Sequence, residues 1–120
     1  MSPSITDVRH FRSLAEAVDF IATCLDANSP ADLFAQVAFP AERYRHVVPD
    51  HLSHFAAWVF PPLLAEHRKH DLRSLYAGRD FPEAASALTL GGHFAEIGCM
   101  HTEFVKSPDG WALSDIWQCR

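Results

Sequence analysis

The C-terminal stretch FVKSPDGWALSDIWQCR, residues 104–120, constrains the fold more than any other part of the chain. Two apolar-rich runs flank the SPDG turn at 107–110, and Asp-Gly between such runs is a strong β-hairpin signal. The glycine pair at 91–92 predicts another hairpin turn, between a strand at 87–90 and a long strand at 93–106. The C-terminal part of the chain is therefore predicted to form an antiparallel meander.

The first part of the chain is predicted to be helical. Ser13 and Glu16 match a capping box, and apolar residues recur behind them at helical spacing until Asn28, which predicts the end of the helix. Ser29 as N-cap and Pro30 at the first helical position predict the start of a short second helix.

The middle of the chain combines helix and strand signals. A third helix is predicted over 50–70, with a break or kink at the proline pair 61–62. Alternation predicts a short strand at 39–48, and a further strand is predicted at 72–77, ended by Gly78. Helices followed by antiparallel strands predict a single α+β domain over 1–120, with the helices packed on one face of a curved sheet.

Composition excludes several classes of protein. The net charge of −5 argues against a nucleic-acid surface, which needs clustered positive charge. Neither a secretory signal nor a membrane-spanning segment is recognisable. Three cysteines without metal-type spacing predict reduced thiols. We therefore expect a cytoplasmic protein that contacts neither nucleic acid nor membrane.

The register of the last hairpin decides where Asp115 lies. A two- or four-residue loop gives one bulky face, predicted to lie against the helices, and one mixed face, predicted to meet solvent or the second copy of a homodimer. A three- or five-residue loop reverses the pairing, and a bulge at Gly98 would bring Ala95 and Ile97 onto the bulky face. The bulky face carries Met100, Thr102, Phe104, Trp111, Leu113, Asp115 and Trp117. The mixed face carries Cys99, His101, Glu103, Val105, Ala112, Ser114, Ile116 and Gln118.

Three interpretations of Asp115 are open. It is a structural acid bonded to a backbone N–H, a tyrosine or an arginine, with Tyr44 and Arg73 as candidates. Alternatively, it is the polar anchor of a small-molecule pocket, where burial would raise its pKa and prepare it for acid–base chemistry. On the other register it is a solvated surface charge.

The pocket hypothesis assigns an apolar lining to this anchor. In a catalytic version Asp115 is the general acid or base, and Tyr44 or His54 orients or protonates the substrate. The ligand is expected to be a small, largely hydrophobic molecule, cyclic or not. The predicted lining residues are Phe34, Phe55, Trp58, Met100, Phe104, Leu113 and Trp117.

The order of elements, closing on the hairpin FVK…DGWAL at 104–113, resembles the nuclear transport factor 2-like superfamily over about residues 9–120. The resemblance implies a cystatin-like α+β cone whose mouth opens into a pocket between sheet and helices, often in a homodimer. Members include polyketide-cyclase-like and ketosteroid-isomerase-like enzymes, dehydratases, epoxide hydrolases and non-enzymatic binders, so the fold selects no reaction. A small-molecule binder, an isomerase, dehydratase or cyclase, and a non-catalytic dimeric interaction module all stay open.

The chain departs from the enzymatic members at two places. Isomerase and cyclase members place an acidic residue just after the second helix. Here that region reads AQVAFPAER, and Glu42 is a poor substitute. The Asp–Arg–Asp set of the epoxide-hydrolase-like members is also not evident.

The eight histidines invite a metal hypothesis. His51 and His54, like His67 and His70, are spaced to share one side of a helix. A metal site needs three or four convergent ligands, and neither HExxH nor HxH occurs. We predict no metal and no cofactor.

Overall fold

The computed structural model describes residues 7–45, 50–76, 87–94 and 98–119. These residues form an α+β structure, as predicted, in which helices precede a three-stranded antiparallel sheet of order β1-β2-β3. The α-helices are α1 Leu14–Asp26, α2 Pro30–Phe34, α3 His51–His54, α4 Phe60–Lys69 and α5 Leu72–Tyr76. The strands are β1 Ala87–Phe94, β2 Gly98–Ser107 and β3 Gly110–Cys119.

Helix α1 begins and ends where the sequence predicts. Ser13 Oγ accepts a hydrogen bond from the backbone N–H of Glu16 at 3.2 Å. The Glu16 carboxylate accepts from the N–H of Arg12 at 3.1 Å, one residue earlier than in a capping box. Asn28 follows the helix with φ of 52°, the left-handed conformation that Asn tolerates well. The buried stripe of α1 comprises Leu14, Ala17, Val18, Ile21, Ala22, Cys24 and Leu25.

The third helix passes through the proline pair as one continuous helix from His51 to Lys69. A π-helical segment, Phe55–Val59, joins α3 to α4, and the N–H of Phe60 donates to Phe55 O. The wider turn lies directly before the proline pair, which occupies the first turn of α4, so the helix continues past two residues that lack an N–H.

Two predicted strands are wrong where the structure describes them. Ala41–Arg43 form a 3-10 helix, and residues 46–49 of the same prediction lie outside the described residues. Leu72–Tyr76 form α5, and residue 77 lies outside the described residues. The N–H of Leu72 donates to His67 Nδ1 at 3.1 Å, so a side chain of α4 caps α5. This tertiary contact overrides the local strand signal of residues 72–77.

The predicted turn at Gly91-Gly92 is also wrong. Strand β1 runs through both glycines, which pair with His101 and Met100 of β2. Glycine is common in turns because it tolerates unusual backbone angles. It can also occupy a position inside a β-strand when a neighbouring strand pairs with it.

The last hairpin is confirmed, but its register changes along its length. Ser107 pairs with Gly110 across the two-residue loop 108–109, and Phe104 pairs with Leu113. The register then shifts between Glu103 and Phe104, so that Asp115 pairs with Glu103. A β-bulge of this kind sets two residues of one strand against one of the other.

The bulge moves side chains between the two faces of the sheet. Ile116 pairs with Thr102 and is buried beside it, whereas the prediction placed Ile116 on the mixed face. Asp115 and Trp117 pair with Glu103 and His101, so the prediction that they lie under the helices with Leu113 is wrong. One extra residue reverses the alternation of every later side chain of β3. The bulge considered at Gly98 concerns residues 95–97, which lie outside the described residues.

Two segments outside the sheet form backbone hydrogen bonds with β3. Phe11 and Trp111 exchange backbone hydrogen bonds of 2.7 and 2.8 Å. Val37 forms a parallel bridge with Leu113, whose carbonyl accepts from the N–H of Ala38 at 3.0 Å. The second contact brings the chain after Val37, including the 3-10 helix, beside the bulge.

Among the helices within the described ranges, none is long and apolar enough to cross a membrane.

Candidate functional site

A cleft of about 540 Å³ opens where the 3-10 helix meets the bulged end of the β2–β3 hairpin. Because the bulge turns Asp115 and Trp117 away from the core, their side chains join Glu103 on this face. The loop after Val37 brings two polar side chains over it from the other side. The cleft is lined by Arg43, Tyr44, Glu103, Asp115 and Trp117.

Asp115 is the most deeply buried of these residues, with only 1% of its surface exposed. Tyr44 Oη donates to Oδ1 at 2.5 Å, and Arg43 Nη1 donates to Oδ2 at 2.7 Å. Both carboxylate oxygens are therefore hydrogen-bonded, as a buried carboxylate requires. Of the two predicted partners Tyr44 is confirmed. Arg73 is wrong, because its guanidinium bonds instead to Asp19 Oδ1 at 2.6 Å.

The pKa values of Asp115 and Arg43 are both raised, but for different reasons. Loss of solvent raises the pKa of Asp115 more than the hydrogen bonds from Tyr44 and Arg43 lower it. The bond to Asp115 raises the pKa of Arg43, whose side chain is 51% exposed and is desolvated far less. Burial therefore disfavours the charged form of Asp115 more than the charged form of Arg43.

An aromatic cluster holds Tyr44 in place. Its ring stacks on His51 with centroids 4.2 Å apart and meets Phe39 edge-on at 5.4 Å. Phe34 and Phe55 pack against Phe39 from the other side. Burial, followed by the bond to Asp115, raises the pKa of Tyr44, so its hydroxyl stays protonated and donates to Asp115.

Glu103 completes an acid–arginine–acid arrangement around Arg43. Its Oε2 lies 3.7 Å from Arg43 Nη1, and its Oε1 accepts from Ser114 Oγ at 2.7 Å. Local sequence patterns do not indicate this set, because Arg43 and Glu103 come together only through the Val37 bridge and the bulge. Alternation placed Glu103 on the face opposite Asp115.

Trp117 forms the aromatic wall of the cleft. Its indole stacks on the imidazole of His101, the residue with which it pairs across the strands, at 4.9 Å and 18°. Arg43 Cζ lies 5.7 Å from the centre of the Trp117 ring system. The half-buried indole thus offers its surface beside the charged groups.

The structure brings only three of the predicted site residues to the cleft: Tyr44, Asp115 and Trp117. Trp58 is 67% exposed on the π-helical segment, and His54 is half-buried beside His51. The remaining predicted lining residues pack in or against the hydrophobic core. These are Phe34, Phe55, Met100, Phe104 and Leu113.

Within the described ranges, no group of three or more His, Cys, Asp or Glu side chains is arranged to hold a metal ion. His67 is engaged through both ring nitrogens. Nε2 lies 2.6 Å from Asp26 Oδ1, while Nδ1 accepts from the N–H of Leu72. These contacts give His67 a role in joining α1, α4 and α5.

The comparisons with known proteins do not add to this geometry: no protein-family model, curated protein or solved structure matches the chain.

Proposed function

We propose that the chain is a small-molecule-binding protein whose ligand occupies the cleft beside Asp115. The observation that carries this proposal is the convergence of a guanidinium, a phenol hydroxyl, two carboxylates and an indole around a cavity of about 540 Å³. Ligand sites measure about 300–1,000 Å³ and combine an apolar wall with a few placed polar groups. The ligand is a small molecule with an apolar ring that stacks on Trp117 and a polar group that hydrogen-bonds to Arg43.

In this proposal Asp115 organises the site and Arg43 meets the ligand. Both oxygens of Asp115 are bonded to Tyr44 and Arg43, whereas half of the Arg43 side chain is exposed. A guanidinium carries five N–H donors, so Arg43 can bind Asp115 and a ligand together. The role of the buried carboxylate is to hold the guanidinium in one orientation.

The proposal extends to the fold family, the oligomeric state and the cellular compartment of the protein. We propose that the helices and sheet belong to a cystatin-like cone of the nuclear transport factor 2-like kind, in a cytoplasmic homodimer. Support comes from the order of elements and from the packing of α1 against β3. A second copy on the outer sheet face would approach the face that carries Glu103 and Trp117. Light scattering with and without ligand measures whether two copies associate and whether the ligand changes that association.

A thermal-shift screen of small cyclic molecules tests the binding function, because a ligand that prefers the folded state raises the melting temperature. Each compound that binds is repeated on Trp117→Phe and on Trp58→Phe. The second variant is the matched control, since Trp58 is exposed and does not line the cleft. We expect the ligand-induced rise to shrink only in Trp117→Phe. A rise that is unchanged there, or a screen without any binder, contradicts the proposal.

An enzymatic function is a second candidate, favoured by the raised pKa of Asp115 beside the Tyr44 hydroxyl. A carboxyl group of this kind removes or returns a proton next to a carbonyl group in isomerases, dehydratases and cyclases. Incubation with cyclic ketones in D₂O, followed by NMR, would show catalysed exchange of the hydrogens next to the carbonyl. Asp115→Asn should abolish it. The absence of exchange, or equal exchange by Asp115→Asn, rejects the candidate.

A further inference from the structure

The charges that line the cleft do not balance. Among its described lining residues, Asp115 and Glu103 carry carboxylates and Arg43 carries a guanidinium. Arg43 Nη1 lies 2.7 Å from Asp115 Oδ2 but 3.7 Å from Glu103 Oε2. Asp115 therefore engages the guanidinium more closely, and the wall formed by Glu103 keeps an excess of negative charge when both acids are ionised.

Glu103 keeps the capacity to accept a further hydrogen bond. Ser114 Oγ donates to Oε1 at 2.7 Å and fixes the orientation of the carboxylate. The 3.7 Å separation of Oε2 from Arg43 is longer than a hydrogen bond. Because the Glu103 side chain lines the cleft and is 21% exposed, a ligand can approach Oε2.

The indole of Trp117 already faces a positive group. The guanidinium carbon of Arg43 lies 5.7 Å from the ring centre, within the separation of about 6 Å at which a cation is attracted to an aromatic face. The guanidinium of Arg43 is thus itself a cation that lies between the Trp117 indole and the Asp115 carboxylate.

We propose that the ligand of this cleft is an organic cation, in which a small apolar ring carries both an ammonium or amidinium group and the hydrogen-bond acceptor that meets Arg43. The inference rests on the proposed function, that the cleft binds a small molecule. The positive group lies between the Glu103 carboxylate and the Trp117 indole, and Arg43 stays bound to Asp115. An anionic ligand would gain the guanidinium but would lie close to two carboxylates.

Three probes that share a phenyl ring and differ in charge test this selectivity: benzyltrimethylammonium, benzyl alcohol and benzoate. Binding is followed at constant ionic strength through the NMR signal of the Trp117 indole N–H, assigned with Trp117→Phe. We expect the cation to bind about 5- to 30-fold more tightly than benzoate, with the alcohol between them. Equal or tighter binding of benzoate overturns the cation inference and leaves the binding function intact. If none of the probes perturbs the Trp117 signal, both proposals fail.

Two matched variants locate the charge that is responsible. Glu103→Gln removes the proposed anionic wall, whereas Glu42→Gln makes the same charge change on the exposed 3-10 helix, outside the residues that line the cleft. We expect Glu103→Gln to weaken binding of benzyltrimethylammonium several-fold, and to weaken binding of benzyl alcohol much less. Glu42→Gln should change both affinities little. Equal effects of the two variants on the cation would overturn the proposed position of the positive group.

Discussion

Tyr44 and Asp115 are joined by a hydrogen bond of 2.5 Å between Oη and Oδ1, although 71 residues separate them in the chain. The bond connects the aromatic cluster around His51 to the bulged part of β3. It satisfies one oxygen of a buried carboxylate, and Arg43 satisfies the other. The cleft is therefore organised by interactions that also stabilise the fold.

Replacing Tyr44 by Phe should remove this bond while keeping the stacked ring. We expect the free energy of unfolding to fall by about 1.5–3 kcal/mol, the usual contribution of a hydrogen bond to a charged group. Urea unfolding at neutral pH measures the loss. The double variant with Asp115→Asn is the control, because the two effects should be less than additive if the residues interact. Strict additivity would mean that the bond does not stabilise the protein.

The stability contribution of Asp115 should depend on pH in a direction opposite to that of an ordinary ion-paired carboxylate. Burial raises its folded pKa above its ordinary value. Its contribution is therefore complete below the unfolded pKa of about 3.9 and decreases as pH rises through the folded pKa. We expect the difference in unfolding free energy between the wild-type protein and Asp115→Asn to shrink as the pH rises above about 4.

Urea unfolding at a series of pH values measures this trend. Asp50→Asn serves as the control, because it makes the same change at an exposed position where the side chain caps no backbone group. A difference that grows with pH for Asp115→Asn would show that the ion pair with Arg43 outweighs the cost of burial.

Local signals in the sequence were sufficient for several boundaries of the fold. The Ser13 cap, the Asn28 terminator and the turn at 107–110 each depend on residues within a few positions of one another. Such features follow from hydrogen bonds and backbone angles that a short segment determines. These predictions are confirmed for that reason.

The site depended on contacts that no short segment reveals. A buried Asp115 with Tyr44 as a candidate partner was one of three interpretations that the sequence left open, and alternation assigned Asp115 to the helix-covered face. A bulge needs one residue more on one strand than on its partner, and neither LSD at 113–115 nor its neighbours signals that difference. Arg43 reaches the cleft through the bridge between Val37 and Leu113, a long-range contact. Helix α5 likewise depends on its cap from His67.

The two aromatic residues of the π-helical segment should differ sharply in their effects on stability. Phe55 is fully buried and packs against Phe34 and Phe39, whereas Trp58 is 67% exposed. We expect Phe55→Ala to lower the unfolding free energy by about 3–5 kcal/mol. Trp58→Ala should change it by about 0.5 kcal/mol or less. Urea unfolding of both variants measures the contrast, and a comparable loss in Trp58→Ala would contradict the orientation of this helix.

Gly110 should be difficult to replace, because a neighbouring segment passes directly over it. Its φ is +122°, and a Cβ built there would lie 2.4 Å from the carbonyl oxygen of Phe11. We expect Gly110→Ala to cost about 1–3 kcal/mol from the backbone conformation alone, and more from the contact. Asp109→Ala, in the exposed loop beside it, is the control and should stay within about 0.5 kcal/mol of the wild-type protein. Amide hydrogen exchange localises the damage, since protection of the Phe11 and Trp111 N–H groups should fall only in Gly110→Ala. If the two variants are equally stable and equally protected, the N-terminal segment does not pair with β3 at this point.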